Sequence, residues 1–231
     1  MSLSARAMNF FVGVPGSGKG KSMSKAPVVV LEGTWWSNHE VPLVLPYFHA
    51  LSISHREIDL CHRTIRSVED IAYYVARVSK NSGAMLYFAC HGEELHLKPA
   101  GERDKINHED LLGALGKAKE GAVSFIHFGC CEMIAPNARR ETHQKILDVS
   151  GAKWSSGYTK AVDWLQSMFL DLALVTEVFV PQCASTDGRV TQLKRRATDF
   201  VASYEQLARE LGFSALSKVT GGPALFPERL R

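Results

Sequence analysis

The stretch Ala84–Glu94 reads AMLYFACHGEE. Its first seven residues carry no charge, and a short apolar run of this density predicts a strand buried on both faces, as in the interior of a parallel sheet. The character then changes within three residues, from Cys90 through His91 and Gly92 to a pair of glutamates. Ligand sites in open parallel sheets gather outside the carboxyl ends of the strands. A strand that ends on an imidazole therefore delivers it to the rim where chemistry is done, and the neighbouring segments decide whether it meets a partner there.

Upstream, VVVLEG (28–33) is a second short β-branched run and predicts another buried strand. Between the two lies SVEDIAYYVARVSKNSG (67–83), a helical pattern. Ser67 is placed to cap it, acids fill its first turn, Ile71, Tyr74, Val75 and Val78 recur at helical spacing, and Gly83 ends it. Downstream, NHEDLLGALGKAKEG (107–121) predicts a helix capped by Asn107 with Leu111, Leu112 and Leu115 along one side. AVSFIHFGCC (122–131) is the next buried strand, with His127 as a residue accommodated inside it. EMIAPNARRETHQ (132–144) reads as a loop, and its part NARRETHQ (137–144) as exposed and basic enough to be a processing site. KILDVSGAKWSSGY (145–158) reads as one or two short strands, and AVDWLQSMFLDLALVTEVF (161–179) as a long helix with Trp164, Leu165, Met168, Phe169 and Leu172 on one side. A last helix is expected over 198–211, before a Pro/Gly tail. This alternation predicts an α/β fold, a three-layer α/β/α sandwich with a mostly parallel central sheet.

One helix separates the strand ending at His91 from the strand ending at Cys130 and Cys131, so the right-handed crossover makes the two strands parallel neighbours. An imidazole and a thiol then open on the same rim. A Cys–His pair is a nucleophile with its base: the imidazole favours the attacking thiolate, and the protonated ring can return its proton to a leaving amine. Gly92 lacks a side chain, so its N–H can approach a developing oxyanion, with the N–H of Cys131 as the second donor. A backbone carbonyl suffices to orient the ring. Adjacent strand residues point to opposite faces, so only one cysteine can look at His91; Cys131, nearer the rim, is the better nucleophile and Cys130 fills a buried position.

Here the sequence resembles a known family. An apolar strand ending in His-Gly, a helix, and an apolar strand ending in small residue-Cys resemble the caspase–legumain–gingipain fold of cysteine peptidases. FIHFGCCE (125–132) resembles both the caspase Gln-Ala-Cys pattern, with Gly-Cys in place of Gln-Ala, and the Ala-Cys-Glu of bacterial CHAT peptidases. His91 and Cys131 are 40 positions apart, against roughly 50 in caspases. SSGYTKAVDWLQSMFLDL (155–172) resembles the strand exit and helix that flank the substrate groove. The resemblance covers about residues 28–180. It implies an endopeptidase with catalytic His91 and Cys131, oxyanion donors at Gly92 and Cys131, and a polypeptide substrate added as a strand near 152–157 and held by Trp154, Ser155, Ser156 and Asp163. It implies an activating partner, signal or oligomerisation, and a context in cell death or antiphage defence. Asp148, Glu132 and Asp163 would favour basic substrates; Arg139 and Arg140 would favour aspartate.

Composition bounds the alternatives. The 231 residues suit one domain, 45% hydrophobic and 22% charged, with a core of ordinary size. A net charge of +3 on dispersed basic residues does not indicate nucleic acid. The five cysteines (Cys61, Cys90, Cys130, Cys131, Cys183) form no disulfide framework, so a reducing, cytoplasmic setting is expected. No signal peptide is read at MNFFVGV, and no stretch is expected to be long enough to cross a bilayer, so no membrane is expected. Residues 1–26 read as a flexible Gly/Ser/Lys-rich arm, and 27–231 as the peptidase domain. Within the arm, GVPGSGKGKS (13–22) approaches a phosphate-binding loop, but each frame lacks either the first glycine or the final hydroxyl residue. A nucleotide binder is thus one alternative, and a catalytically silent caspase-like binding module the other. Cys90, His91, His96, Cys130 and Cys131 show no metal-ligand spacing, so no metal and no cofactor are expected.

Overall fold

A computed structural model describes residues 25–35, 43–100, 104–184, 190–218 and 223–227. The elements run β1 (Ala26–Glu32), α1 (Leu45–Ser54), β2 (Ile58–Thr64), α2 (Val68–Val75), β3 (Ala84–Ala89), β4 (His91–Glu93), β5 (His96–Lys98), α3 (His108–Leu115), β6 (Val123–Phe128), α4 (Arg139–Ser150), β7 (Trp154–Tyr158), α5 (Trp164–Leu174), a π-helical turn (Val175–Phe179), α6 (Val180–Ala184), α7 (Val190–Ser203), α8 (Glu205–Leu211), β8 (Phe213–Ser217) and β9 (Ala224–Phe226). Among the described residues, seven strands form the main sheet in the order β2-β1-β3-β6-β7-β8-β9, while β4 and β5 make a separate antiparallel hairpin. From β2 to β7 all pairings are parallel; β8 and β9 add an antiparallel edge.

The opening stretch occupies the centre. Every residue of β3 is buried, and its alternation sorts the two cores. Met85, Tyr87 and Ala89 face one cluster with α1, α5, α7 and α8. Ala84, Leu86 and Phe88 face the other, with α2, α3 and α4. This is the three-layer α/β/α sandwich. The helix starts obey local chemistry: Ser67 and Asp70 form a reciprocal capping box on α2, and Asn107 accepts the Asp110 N–H at the start of α3.

Several sequence expectations need correction. RRETHQKILDVS is one helix, α4, where a loop and strand were expected; its long polar face hides the pattern, but Ile146 and Leu147 are buried and Gly151 closes it at φ 70°. Arg139 and Arg140 therefore lie on a helix, and donate to the Pro227 and Pro223 carbonyls at 3.1 and 3.0 Å, rather than forming a processing loop. The helix expected at 198–211 is two helices, α7 and α8, and the segments on either side of 218–223 are strands. Helices α5 and α6 with the π-turn between them make one helical run, Trp164–Ala184. Its 21 residues include a stretch long and apolar enough to cross a bilayer, contrary to expectation, and half of that stretch is buried inside the protein. Of the expected arm, residues 1–24 lie outside the described residues and Ala26 opens β1; the phosphate-loop-like stretch 13–22 lies outside them as well.

Candidate active site

Strands β3 and β6 are adjacent and parallel, with Phe88 opposite Phe128. Beyond their carboxyl ends the chain makes two different turns. After β3 it enters the β4–β5 hairpin, whose first residue is His91. After β6 it passes Gly129, Cys130 and Cys131, then reverses at Glu132, where φ is +53°. The cysteines thus lie past the strand, and what separates their side chains is the turn rather than strand alternation. Cys130 is buried and Cys131 half-buried.

The two turns are joined. Glu132 accepts the Leu95 N–H on its carbonyl at 3.0 Å and the Glu94 N–H on its carboxylate at 3.2 Å. Gly92 lies against the Cys131 carbonyl, so close that a Cβ at this position would collide with it. Glycine here is needed for the His-Gly turn and the Cys turn to meet. Glu132 is therefore occupied in holding the site, and Asp148, which accepts from Gln144 at 2.8 Å on α4, is elsewhere.

His91 and Cys131 line one cleft of about 180 Å³, together with Trp35, Cys90, Gly129, Val162, Asp163, Trp164 and Ser167. The His91 Nε2 is bonded to the Trp35 backbone carbonyl. A carbonyl only accepts, so the proton of the neutral ring sits on Nε2 and the basic nitrogen is Nδ1. The Trp35 indole meets the ring edge-on at 5.4 Å. Sulfur in Cys131 is bracketed by Val162: its N–H donates to Sγ at 3.4 Å, and the thiol donates back to the Val162 carbonyl at 3.7 Å. Only the first of these persists in the thiolate, where it solvates negative charge. Cys130 differs. Its thiol donates to the Phe88 carbonyl at 3.3 Å and lies 3.8 Å from the Cys90 sulfur. Burial, with the neighbouring Cys90, pushes it well above the ordinary thiol range. Such a thiol is a packing group.

The expected substrate residues divide. Asp163 is on the cleft and caps α5, its Oδ1 accepting the Leu165 and Gln166 N–H groups at 3.0 and 2.9 Å. Trp154, Ser155 and Ser156 are fully buried and do not line the cleft. The physical reason is the position of β7. It pairs with β6 on one side and with β8 on the other, so it has no edge on which a substrate strand can add. Trp154 stacks between Phe125 and Phe226, and Ser155 and Ser156 bond to buried histidines. The cleft wall is instead the turn after β7 and the start of α5: Val162, Asp163 and Trp164.

No family model matches this chain and no curated protein matches it. A structural likeness exists to an inactive zymogen C11 protease from Parabacteroides distasonis, with a TM-score of 0.53 and 14% identity over 85% of this chain. The fold is caspase-like. This chain covers 63% of that protein's chain. At that identity the likeness speaks for the fold, and the chemistry rests on the residues of the cleft.

Trp35 escaped the sequence reading, which asked for a backbone carbonyl without naming one. The signal was faint: GTWW follows β1 directly, and β1 is the neighbour of β3, so the turn after it reaches the same rim.

Proposed function

We propose that this chain is a caspase-like cysteine endopeptidase working through a His91–Cys131 dyad. The observation that carries the reading is the cleft shared by a half-buried thiol and an imidazole whose Nε2 proton is committed to the Trp35 carbonyl. Nδ1 of His91 takes the Cys131 proton, and the thiolate attacks the scissile carbonyl carbon. Charge moves to the carbonyl oxygen, which the N–H groups of Gly92 and Cys131 receive. Collapse breaks the C–N bond as the imidazolium returns its proton to the leaving amine, giving a thioester. Water then attacks the thioester, His91 accepts its proton, and the sulfur leaves.

A cleft of about 180 Å³ is smaller than the roughly 300–1,000 Å³ of whole-ligand pockets and matches one substrate side chain. Trp35, Val162 and Trp164 wall it, with Asp163 at the rim. The remainder of this reading follows the sequence resemblance: a cytoplasmic enzyme of defence or cell death, switched on by a partner or signal. The test is a peptide-library digest with the parent and Cys131→Ala. Cleavage by the parent that disappears in the variant supports the dyad; equal cleavage by both overturns it; and no cleavage by an activated parent leaves the chain a peptide-binding module of the same fold.

A further inference from the structure

At the last residue of β1, the Glu32 carboxylate is 2% exposed and has no contact with the cleft thiol. A buried carboxylate is costly unless its oxygens are well supplied with donors, and Glu32 is supplied by four. Oε1 accepts the Trp35 indole N–H at 3.0 Å, the Leu43 N–H at 2.6 Å and the Val44 N–H at 3.1 Å. Oε2 is bonded to the His62 Nε2 at 2.7 Å. Three of the four partners belong to the stretch from Trp35 to Val44, and they sit at its two ends. The carboxylate therefore clamps together the start and finish of the connection from β1 to α1.

The start of that connection carries the group that orients His91. Gly33 donates to the Ala89 carbonyl at 2.8 Å and Thr34 to the Pro99 carbonyl at 2.6 Å. The next residue is Trp35. Its carbonyl meets His91 Nε2, while its side chain reaches back to Glu32. A chain of two hydrogen bonds through one residue thus runs from a buried carboxyl group to the dyad imidazole.

We infer that Glu32 is a positioning residue: by anchoring the Trp35 indole and both ends of the 33–44 connection, it holds the Trp35 carbonyl where it fixes the proton and the orientation of His91. The role rests on the peptidase reading and goes beyond it, because a carboxylate that never touches substrate governs how well the imidazole serves the thiol. Loss of the anchor leaves the thiol in place and lets the ring turn, so the thiolate at neutral pH decreases.

The experiment follows the rate of Cys131 alkylation by iodoacetamide against pH, located by peptide mass mapping, in the parent 231-residue chain, Glu32→Ala, Trp35→Phe and His91→Ala. Trp35→Phe keeps the ring bulk and the backbone carbonyl but deletes the indole donor, and it decides the matter if Glu32→Ala does not fold. In the parent, Cys131 is alkylated selectively with a profile set below that of His91→Ala. Glu32→Ala, which removes the acceptor for all three N–H groups, moves the profile toward His91→Ala and lowers the rate at pH 7 about tenfold; Trp35→Phe lowers it about threefold. A Cys131 profile unchanged in the folded variants overturns the role of Glu32 and leaves the dyad standing. A parent whose Cys131 is no more reactive than its other thiols overturns the dyad, and this role with it.

Discussion

Two imidazoles, one inside a central strand and one just past the end of its neighbour, show how little hydrogen-bond order alone says about chemistry. His127, in β6, has the partners of a hydrolase triad: Nδ1 lies 2.7 Å from the Ser156 hydroxyl and Nε2 2.6 Å from the Asp171 carboxylate. His91 has a backbone carbonyl and a half-buried thiol in its cleft. Yet His127, Ser156 and Asp171 are sealed, at most 1% exposed. Asp171 is further saturated by the Tyr87 and Tyr158 hydroxyls at 2.6 and 2.5 Å. Burial, reinforced by Asp171, pushes both phenols well above their ordinary range, so they stay protonated donors. The buried set is a satisfied polar network that fixes β3, β6, β7 and α5 to one another. The half-exposed pair is where a substrate can arrive. Access distinguishes the two, and so do the consequences of breaking them.

The largest effect expected is on activity at the exposed pair. Cys131→Ala lowers peptide hydrolysis by at least about 10³-fold and His91→Ala by about 10²–10⁴-fold. Neither variant shifts the denaturant midpoint much, since neither residue is a buried anchor. A Cys131→Ala protein that still turns over peptide at the parental rate collapses the distinction between the two regions.

The sealed network behaves in the opposite way. Asp171→Ala strands three buried donors, from His127, Tyr87 and Tyr158, and is expected to cost about 3–5 kcal/mol of stability, enough to unfold a protein of ordinary margin. Urea titration checks it. If Asp171→Ala unfolds at the parental midpoint, the network is not the structural element assigned to it.

How far the sequence reached can be judged at these same residues. The buried runs 28–33, 84–90 and 122–131 were legible because strands covered on both faces must be apolar throughout, and the crossover rule then put His91 and Cys131 on one rim. His127 was rightly read as accommodated, since a histidine inside such a run is surrounded by core. Helix α4 was illegible because RRETHQK gives it a polar face too long to show a stripe. Trp154, Ser155 and Ser156 were misassigned because nothing in WSSGY tells an interior strand from an edge strand; that is decided by β8, nearly 60 residues later, whose pairing closes the edge. The Trp35 carbonyl leaves only the faint trace of GTWW directly after β1, because a backbone group itself has no sequence signature.

A smaller effect is expected where the two exposed turns touch. Gly92→Ala places a Cβ against the Cys131 carbonyl. The hairpin and the Cys turn must then separate, at about 1–3 kcal/mol by the usual cost of overpacking. Because the displaced atoms bear the dyad, hydrolysis falls out of proportion to stability. Parallel activity and urea measurements read both, and a variant that loses stability while keeping parental activity per folded molecule removes Gly92 from the site.

The third imidazole sharpens the contrast within the sealed region. His143, in α4, lies between the Ser155 and Ser214 hydroxyls at 3.0 Å each. It has no carboxylate to share, and burial, with a smaller contribution from the Arg139 charge, holds it down at about 3 from an ordinary 6.5. The folded protein thus keeps this ring neutral, while the unfolded chain takes up a proton below about 6.5. Stability contributed by the site is complete above that pH and is lost progressively as pH falls toward 3, by about 2 kcal/mol at pH 5. His143→Leu removes the titration and leaves two hydroxyls unpaired. The variant is expected to start less stable at pH 7 and to lose less between pH 7 and pH 5, so the two urea-midpoint curves converge. Parallel curves would mean that His143 titrates in the folded protein as it does in the unfolded chain, and that burial between the two serines does not hold it neutral.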